Sequence, residues 1–214
     1  MDPGFPCLHV ITDARPGRDP LAVVVAAVAA AERLGLVNRL AIQVRVEDDA
    51  TDRDAYALTT EVVAECRPAG VLCLVNDRLH VALAADADGA HVGADDLPVA
   101  AARKVLGPRA VLGATCRDEV AARSAVRAGA TYLGVGPAFA TVTKSGLPDP
   151  LGPAKIGAVA RSVPGTAVVA IGGVTLHNAA GLIAAGAAAV AVVGAVATAA
   201  DPGEAVARLL KALP

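Results

Sequence analysis

Aromatic residues are nearly absent from this sequence, whose 214 residues include two Tyr, two Phe and no Trp, or 2% of the chain. The hydrophobic content is nevertheless 55%, and most of it comes from Ala and Val. Small aliphatic side chains suit strands that are buried on both faces and helices that pack close against them. The scarcity of aromatic residues therefore favours a core of the kind found in parallel α/β folds.

The sequence also lacks a long uninterrupted apolar run and an excess of charge. Its Ala- and Val-rich stretches at 22–31 and 184–200 are broken by Gly, by charged residues or by changes from strand to helix, so no membrane span is expected. The N-terminus has neither the basic start nor the apolar core of a signal peptide. A net charge of −2 with 19% charged residues gives no indication of a general nucleic-acid binder.

Cysteine is scarce, and its positions form no C-x-x-C pair. The four cysteines are Cys7, Cys66, Cys73 and Cys116. This pattern predicts reduced thiols in a cytoplasmic protein and no zinc site. We interpret Cys116, which follows the fifth predicted strand, as a bystander without a role in chemistry.

What the chain does have is a regular alternation of short β-branched segments with Ala-rich helical segments. The predicted strands are Leu8–Thr12, Leu40–Val46, Val71–Asn76, Gly89–Val92, Ala110–Ala114, Tyr132–Val135, Ala167–Ile171 and Ala189–Val193. The predicted helices lie near 20–34, 52–66, 79–85, 98–106, 118–128, 153–162, 176–185 and 202–212. Strict alternation indicates a parallel sheet, and eight units in a chain of 214 residues indicate an α/β fold with one (β/α)8 TIM-barrel domain over residues 1–214. An open doubly wound sheet is the alternative.

A barrel of this kind carries its functional site at the C-terminal ends of the strands, on the loops that lead into the helices. Polar residues and glycines gather at these positions in the sequence. In chain order they are Asp13, Gln43, Arg45, Glu47, Asp48, Asn76, Asp77, Asp95, Asp96, Thr115, Thr141, Thr143, Lys144, Gly172, Gly173 and Gly194. We therefore expect one site at this end of the barrel.

The loop after the sixth strand is unusually long. It lies within YLGVGPAFATVTKSGLPDPLG (132–152) and has about 15 residues, whereas most connections have about 4–6. Thr141, Thr143 and Lys144 offer hydroxyl and ammonium donors there, and like Arg45 they have no partner nearby in the sequence. The loop is therefore predicted to be a lid that closes over a substrate.

Glycine turns follow the seventh and eighth strands. Glycine lets the backbone approach a phosphate closely, and N–H groups at the start of a helix face an anion. Gly173, Val193 and Gly194 would supply these amides in a phosphate site. The alternative for the sequence AIGG (170–173) is a plain tight turn.

Two neighbouring strand ends carry carboxylates: Asp77 on one, and Asp95 and Asp96 on the other. Two carboxylates that face one mouth repel each other unless a cation lies between them, and Mg²⁺ accepts one or two carboxylates while keeping positions for water and substrate phosphates. With Mg²⁺, the basic and hydroxyl groups of the mouth would neutralise a departing pyrophosphate. The alternatives are an N-cap role for Asp77 and a solvated loop for Asp95 and Asp96.

None of the four histidines is predicted to be catalytic. His91 falls in the fourth predicted strand, and we interpret it as a residue of the core or of the layer behind the site. His9 lies in the first strand, and His80 and His177 lie on early helical turns. Packing is likewise the expected role of Tyr132.

Taken together, these motifs resemble the thiamine phosphate synthase family over nearly the whole chain, from HVITD (9–13) to AVAVVGAV (189–196). LVNDRLHVALAADADGAHVGADDLP (74–98) resembles the family's magnesium segment, and this match alone favours Asp96 over Asp95. YLGVGPAFATVTK (132–144) is similar to its sixth strand and lid. AIGG (170–173) and AVVGA (191–195) resemble its thiazole-phosphate turns, and IQVR (42–45) resembles the strand that binds pyrimidine and pyrophosphate.

The resemblance implies a transferase of thiamine biosynthesis with small-molecule substrates and Mg²⁺. A hydroxymethylpyrimidine pyrophosphate ionises, pyrophosphate leaves, and the nitrogen of a thiazole phosphate attacks the pyrimidine carbocation. The implied catalytic residues are Lys144, Arg45 and Thr115, and the implied metal ligands are Asp77 and Asp96. The implied substrate-binding residues are Gln43, Arg45, Asn76, Thr115, Thr141, Thr143, Lys144, Gly173, Val193 and Gly194. A homodimer would suit so small a barrel.

The chain departs from the family pattern at four positions of the mouth. Glu47 stands where the family usually has Lys, and a carboxylate there would repel pyrophosphate unless a basic residue such as Arg78 compensates. Ala94 and Thr115 replace the usual Gln and Ser, and Gly194 replaces a Ser while keeping its backbone amide.

These departures leave two alternatives open. The related thiazole tautomerases share the barrel, but their catalytic His corresponds to Arg117 in GATCRDE (113–119) of this chain. A diverged paralogue that binds thiamine precursors without the pyrophosphate reaction is favoured by Glu47. The presence of Asn76, Asp77, Asp96 and Lys144 speaks against such a paralogue.

Overall fold

The computed structural model of the chain describes residues 4–141, 143 and 146–214. The strands are β1 (Leu8–Ile11), β2 (Leu40–Val44), β3 (Leu72–Asn76), β4 (Gly89–Val92), β5 (Val111–Cys116), β6 (Tyr132–Val135), β7 (Ala167–Ile171) and β8 (Ala189–Val192). The helices are α1 (Pro20–Leu34), α2 (Asp52–Ala69), α3 (Leu79–Ala84), α4 (Val99–Leu106), α5 (Glu119–Arg127), α6 (Gly152–Ser162), α7 (Ala179–Ala184), α8 (Gly194–Ala197) and α9 (Pro202–Ala212). A short 3-10 helix, Val37–Arg39, precedes β2.

The eight strands are all parallel and pair in chain order. The sheet closes because β8 pairs with β1, with Leu8 opposite Val190 and Val10 opposite Val192. This closed barrel confirms the prediction of a (β/α)8 TIM barrel and rules out the open doubly wound sheet. No helix in the described part of the chain is long and apolar enough to cross a membrane.

Three details of the sequence prediction are wrong, at β2, α8 and β5. The second strand ends at Val44 and not at Val46, so Arg45 follows the strand. The sequence predicts eight helices, but the described residues form nine α-helices, because α8 lies between β8 and α9. A helix of four residues is too short to show a helical period, and its first residue, Gly194, reads as a turn. The fifth strand extends to Cys116, two residues beyond the predicted end, so that Thr115 lies inside β5.

The predicted starts of α1 and α9 are confirmed by their caps. The Asp19 carboxylate accepts a hydrogen bond from the N–H of Ala22 at 2.9 Å, and the Asp201 carboxylate accepts one from Glu204 at 2.9 Å. Each cap satisfies an N–H group that has no partner within the helix, and a Pro follows each cap at the first helical position. These local signals place both helix starts correctly.

Alternate residues of each strand serve two different cores. Leu8 and Val10 of β1 belong to the large cluster between the sheet and the surrounding helices. Ile11 belongs to a smaller cluster, which fills the interior of the barrel together with Leu74 and Val169. Because side chains alternate along a strand, every second strand residue points into the barrel interior. Inward-facing residues near the C-terminal ends of the strands lie at the mouth.

The barrel interior contains two of the four aromatic residues, Phe5 and Tyr132, together with two histidines. The rings of Phe5, His9 and His91 lie 5.3 to 5.6 Å from a neighbouring ring in a chain of contacts centred on Tyr132. Burial lowers the pKa of His9 and of His91 to about 4, so both imidazoles are neutral at neutral pH. Within the described residues, His9 Nε2 is a buried polar atom without a hydrogen-bond partner.

Two glycines make room for these rings. A Cβ added at Gly113 would lie 2.2 Å from Cζ of Tyr132 and 2.3 Å from Nδ1 of His91. A Cβ added at Gly134 would lie 2.8 Å from Cε1 of His91. All three distances are shorter than the non-bonded contacts that a Cβ atom makes in proteins, so these positions of β5 and β6 must carry no side chain.

The first prediction concerns this space. Gly113→Ala should lower the free energy of unfolding by about 1–3 kcal/mol, because Tyr132 and His91 are enclosed by the barrel and have nowhere to move. Gly181→Ala is the matched control, since an added Cβ in α7 would meet no atom within 4 Å. The control should be neutral or slightly stabilising, because Ala is favoured over Gly inside a helix. Urea unfolding of both variants measures the difference, and equal stabilities would contradict it.

The second prediction concerns pH. The folded protein binds protons at His9 and His91 only near pH 4, whereas the unfolded chain binds them near the ordinary histidine pKa of 6.5. The free energy of unfolding should therefore be highest above pH 6.5 and fall as the pH decreases toward 4, by up to roughly 3 kcal/mol for each histidine.

Urea unfolding at a series of pH values between 4.5 and 7 measures this dependence. His91→Gln should reduce the slope by about one proton. His177→Gln, which changes an exposed histidine, should leave the slope unchanged. A flat profile in the wild-type protein would show that the buried histidines titrate normally.

Candidate active site

The ends of β1 and β2 are joined by one side chain. The Thr12 hydroxyl donates to the carbonyl of Arg45 at 2.7 Å and accepts from the N–H of Arg45 at 2.8 Å. Arg45 follows the last residue of β2, where the backbone hydrogen bonds between β1 and β2 have ended. The Thr12 side chain supplies the hydrogen bonds that a further strand residue would have made. The contact fixes the backbone of Arg45 at the rim of the barrel.

The side chain of Arg45 has a partner, contrary to the expectation from sequence. Nη1 of Arg45 lies 3.0 Å from Oε1 of Glu47. The two residues are two apart in an extended segment, so their side chains lie on the same side. Arg78, considered above as a compensating base, instead donates to the Asp52 carboxylate and to the carbonyl of Ala50. The carboxylate of Glu47 is thus neutralised by the arginine beside it.

A second basic group at this rim was not predicted. The side chain of Asp13 is 1% exposed, and Arg15 binds it with two hydrogen bonds of 2.7 Å, while Arg18 approaches it at 3.5 Å. These contacts, Arg15 first, hold the pKa of Asp13 below its usual value. Glu47 contributes to a raised pKa of Arg15, after the larger effect of Asp13. Arg15 is therefore a fixed, half-exposed cation near the Arg45–Glu47 pair.

The turn after β3 presents Asp77 in a rare conformation. Its φ of 63° lies in the left-handed region, which few residues other than Gly and Asn or Asp adopt. Its N–H donates to the carbonyl of His91 at 2.8 Å, and its carboxylate accepts from Nδ2 of Asn76 at 2.5 Å. Backbone strain of this kind is concentrated at functional sites. The turn holds the Asn76 and Asp77 side chains together at the mouth.

Asp77 and Asp96 face one small space. Asp96 Oδ2 accepts from the N–H of Gly93 at 2.6 Å. A Cβ added at Gly93 would lie 2.8 Å from that oxygen and 3.9 Å from Oδ1 of Asp77. Gly93 therefore leaves open a space that both carboxylates border, whereas Asp95 is exposed.

This donor set fits Mg²⁺. The ion is held in enzymes by one or two carboxylates and keeps its other positions for water and substrate phosphates. Among the described residues, no group of three or more His, Cys, Asp or Glu side chains forms a complete cage. Two carboxylates around a space without a side chain match a metal that shares its coordination with a substrate.

The loop after β6 rests on the glycine turn after β7. Ala138 N–H donates to the carbonyl of Ile171 at 2.7 Å, and Phe139 N–H donates to that of Gly172 at 3.0 Å. A Cβ added at Gly173 would lie 2.5 Å from the carbonyl oxygen of Ala140, so a glycine is required there. The φ of Gly173, 66°, lies in the left-handed region and therefore also favours a glycine at this position.

The same loop reaches the turn after β8. A Cβ added at Gly194 would lie 3.8 Å from Oγ1 of Thr143, so this hydroxyl lies beside the start of α8. The first N–H groups of that helix, which begins after Val193, have no partner within it. Thr141 and Thr143 are hydrogen bonded to each other at 3.3 Å, so the expectation that they have no local partner is wrong. Lys144 lies outside the described residues.

Arg117 holds the base of the loop together. Its Nη1 donates to the carbonyl of Gly136 at 2.9 Å, and its Nη2 donates to that of Asp149 at 2.8 Å. These carbonyls lie near the two ends of the loop between β6 and α6. A guanidinium stays protonated in proteins and cannot exchange protons as a histidine does. Arg117 therefore anchors the loop and does not replace the tautomerase histidine.

Thr115 is connected to the barrel interior through His91. The Thr115 hydroxyl lies 2.9 Å from Nε2 of His91, whose Nδ1 lies 3.0 Å from the Tyr132 hydroxyl. Nε2 of Gln43 donates to the same hydroxyl at 3.4 Å. The position of His91 agrees with the prediction of a residue in the core or in the layer behind the site, but its contact with Thr115 was not predicted, because it joins β4 to β5. Cys116, the residue after Thr115, is buried against the helices, which raises the pKa of its thiol to about 11.

The structure thus places the predicted residues at the C-terminal end of the barrel in three groups. The β1–β2 side carries Gln43 and Arg45, the β3–β5 side carries Asn76, Asp77, Asp96 and Thr115, and the β6–β8 side carries Thr141, Thr143, Gly173, Val193 and Gly194. A cleft of about 450 Å³ lies at the opposite end of the barrel, where Leu40, Leu72 and Val111 begin their strands, and it contains none of these residues.

Comparison with known proteins identifies the family to which the chain belongs. Residues 8–196 match the family model described as thiamine monophosphate synthase. The chain is 57% identical over 206 residues to the thiamine-phosphate synthase of Salinispora tropica, covering 96% of both chains, and 41% identical over 210 residues to that of Chlorobium luteolum, covering 97% of this chain and 93% of the other. Among solved structures, a thiamine phosphate pyrophosphorylase from Pyrococcus furiosus superposes with a TM-score of 0.84 at 32% identity, covering 96% of this chain and 94% of that one. The chain therefore belongs to the thiamine monophosphate synthase family.

Proposed function

We propose that this protein joins a hydroxymethylpyrimidine pyrophosphate to a thiazole phosphate, giving thiamine phosphate and pyrophosphate. The observation that carries the proposal is the identity with the Salinispora tropica synthase over nearly the full length of both chains. The reaction is that of a transferase which releases pyrophosphate. Residues at the C-terminal end of the barrel support each part of it.

The cationic side of the mouth would bind the diphosphate of the pyrimidine substrate. Arg45 lies at the end of β2 and is fixed there by Thr12. Thr115 and the lid threonines would add hydroxyl donors, and Lys144, outside the described residues, would add a further cation. Charges that are already in position stabilise a leaving group without reorganisation during the reaction. These residues would therefore lower the energy of the pyrophosphate as its bond to carbon breaks.

Asp77 and Asp96 would hold Mg²⁺, and Asn76 orients the Asp77 carboxylate through its hydrogen bond. When bound, the ion would supply positive charge to the diphosphate oxygens. The carboxylates face a space that Gly93 keeps open, so a substrate phosphate can approach them directly. Arg45 on one side, and a cation held by the aspartates on the other, would together bind the two ends of the diphosphate.

The glycine turns would bind the phosphate of the thiazole substrate. Gly173 and Gly194 each follow a strand end, and the amides of Val193 and Gly194 lie at the start of α8. Backbone N–H groups in such turns are typical phosphate ligands of barrels of this fold. Thr143 lies beside Gly194, so a lid formed by this loop would lie next to this phosphate. Gln43 would contact the pyrimidine, as the family resemblance implies.

The synthase reaction is favoured over tautomerisation by the role of Arg117. This residue stands where the tautomerases have their catalytic histidine, and both of its terminal nitrogens bind loop carbonyls. We also propose that the protein acts in the cytoplasm as a homodimer. Its four cysteines are free and buried, which suits a reducing compartment.

The third prediction tests the reaction itself. Purified protein mixed with the pyrimidine pyrophosphate, the thiazole phosphate and Mg²⁺ should produce thiamine phosphate, and EDTA should abolish the product. Asp77→Asn and Asp96→Asn should each raise the Mg²⁺ concentration for half-maximal rate by about tenfold or more, because each removes one charged ligand.

Asp95→Asn is the matched control, since Asp95 is the exposed neighbour of Asp96. It should leave the magnesium dependence unchanged. If neither Asp77→Asn nor Asp96→Asn alters that dependence, the metal lies elsewhere. Absence of any product in the wild-type protein, with thiazole phosphate still bound in calorimetry, would favour the diverged paralogue.

The fourth prediction concerns Glu47. Glu47→Gln should lower the KM for the pyrimidine pyrophosphate by about fivefold, because it removes a negative charge near the diphosphate and releases Arg45 from its 3.0 Å ion pair. Steady-state kinetics at fixed thiazole phosphate measures the change. Asp48→Asn removes a charge from the exposed next residue and should have little effect. A higher KM in Glu47→Gln would mean that Glu47 serves to hold Arg45 in position.

A further inference from the structure

A line of hydrogen bonds crosses the upper part of the barrel interior and ends at the mouth. It begins at Nε2 of Gln43 on β2, which lies 3.4 Å from the hydroxyl of Tyr132 on β6. The same hydroxyl lies 3.0 Å from Nδ1 of His91 on β4, and Nε2 of His91 lies 2.9 Å from Oγ1 of Thr115 on β5. Four strands therefore contribute to one continuous chain of polar contacts. Its last member is a residue of the proposed site.

The burial of the hydrogen-bonded residues determines how many protons they hold. Tyr132 is 1% exposed and His91 is 9% exposed. Burial in the barrel interior disfavours a charged phenolate and a charged imidazolium. At neutral pH the phenol therefore keeps its proton, and the imidazole carries one proton on one of its two nitrogens.

The direction of the hydrogen bonds follows from the first donor. An amide nitrogen can only donate, so the Tyr132 oxygen accepts from Gln43. The single O–H of Tyr132 then points to His91, and Nδ1 accepts it. A neutral imidazole whose Nδ1 is an acceptor carries its proton on Nε2, which donates to the oxygen of Thr115.

The hydroxyl hydrogen of Thr115 therefore takes no part in the hydrogen bond between Thr115 and His91. Thr115 is half-buried at the mouth, whereas its partner His91 lies behind it in the barrel. With its oxygen occupied by the His91 N–H, the hydroxyl can direct its own hydrogen away from the interior. If these hydrogen bonds ran in the opposite direction, the Thr115 hydroxyl would donate to His91. It would then offer only lone pairs to an anion.

We propose that His91 is a positioning residue that accepts from Tyr132 and donates to Thr115, so that the Thr115 hydroxyl is held as a hydrogen-bond donor to the diphosphate of the substrate. This inference rests on the proposed function for the identity of the anion. It gives His91 and Tyr132 a role in substrate binding without direct contact to the substrate. It also explains why Gly113 and Gly134 leave space for these two rings inside a barrel filled with small residues.

The fifth prediction follows, and its first measurement needs no activity. In the wild-type protein with ¹⁵N-labelled histidine at pH 7, Nε2 of His91 should be protonated and Nδ1 unprotonated, as read from the two nitrogen shifts and their couplings to the ring protons. Tyr132→Phe removes the donor to Nδ1 and should allow the other tautomer to appear. A wild-type His91 protonated on Nδ1 would overturn the proposal.

The second measurement is a double-mutant cycle on the KM for the pyrimidine pyrophosphate. Thr115→Val and His91→Asn should each raise this KM by about tenfold, the effect expected for losing a hydrogen bond to a charged group. The double variant should show about the same increase as either single variant, because both remove one interaction. Effects that multiply in the double variant would show that His91 acts independently of Thr115.

Two controls separate positioning from folding. His91→Gln can place its amide nitrogen where Nε2 lies, so it should bind the diphosphate substrate better than His91→Asn does. Thiazole phosphate binding, measured by calorimetry, should be unchanged in all folded variants, because Gly173 and Gly194 lie on the other side of the mouth. Equal losses in His91→Gln and His91→Asn, accompanied by loss of thiazole phosphate binding, would indicate a structural role alone.

The outcomes also separate this inference from the proposed reaction. An active wild-type protein with the Nδ1-protonated tautomer would overturn the role of His91 and leave the synthase reaction intact. An inactive wild-type protein with the Nε2-protonated tautomer would overturn the proposed substrate, and with it the diphosphate as the acceptor of the Thr115 hydrogen bond.

Discussion

The interior of the barrel can hold His91 and Tyr132 only because two residues of the neighbouring strands have no side chain. A Cβ at Gly113 would fall 2.2 Å from Tyr132 and one at Gly134 would fall 2.8 Å from His91. The rest of the interior is filled mostly by Ala, Val, Ile and Leu, which explains why so few aromatic residues suffice. The line of hydrogen bonds that reaches Thr115 depends on the space left by these two glycines, because the close-packed interior has no other room for two rings.

The mouth of the barrel carries different groups after different strands. The ion pairs Arg15–Asp13 and Arg45–Glu47 follow β1 and β2, and the aspartates of the proposed metal site follow β3 and β4. The turns after β7 and β8 are neutral and offer backbone amides. A diphosphate with its metal ion and a second phosphate can be accommodated side by side on such a rim, since each would meet its own set of partners. The geometry therefore supports a reaction between two phosphorylated substrates.

The loop after β6 combines an anchored base with a threonine that lies close to the turn after β8. Arg117 and the backbone bonds to Ile171 and Gly172 hold the base against β5 and β7. Thr143 lies next to Gly194, so the loop spans the side of the mouth where the thiazole phosphate is proposed to bind. An anchored loop loses less conformational entropy on closing than a free one of the same length. The lid would therefore close at a moderate cost.

The sequence by itself determined the barrel and the end of the barrel where the site lies. Both follow from local properties: the alternation of β-branched and Ala-rich segments predicts eight strand–helix units, and in a parallel barrel the residues after each strand meet at one rim. Asp13, Arg45, Asp77 and Thr115 could be assigned to the mouth for this reason. The predicted starts of the helices near 20–34 and 202–212 also agree with the structure, where Asp19 and Asp201 cap α1 and α9.

Only the tertiary structure decided which of these residues act together. Glu47 pairs with Arg45, Arg117 holds the loop, His91 contacts Thr115, and Thr143 meets Gly194. Except for the first, these contacts join residues of different strands or loops, so they depend on the register between neighbouring strands and on the volume left inside the barrel. Neither quantity has a local pattern, and for this reason the sequence did not predict the contact of His91 with Thr115. The four-residue helix α8 was predicted as a turn, because it is too short to show a helical period.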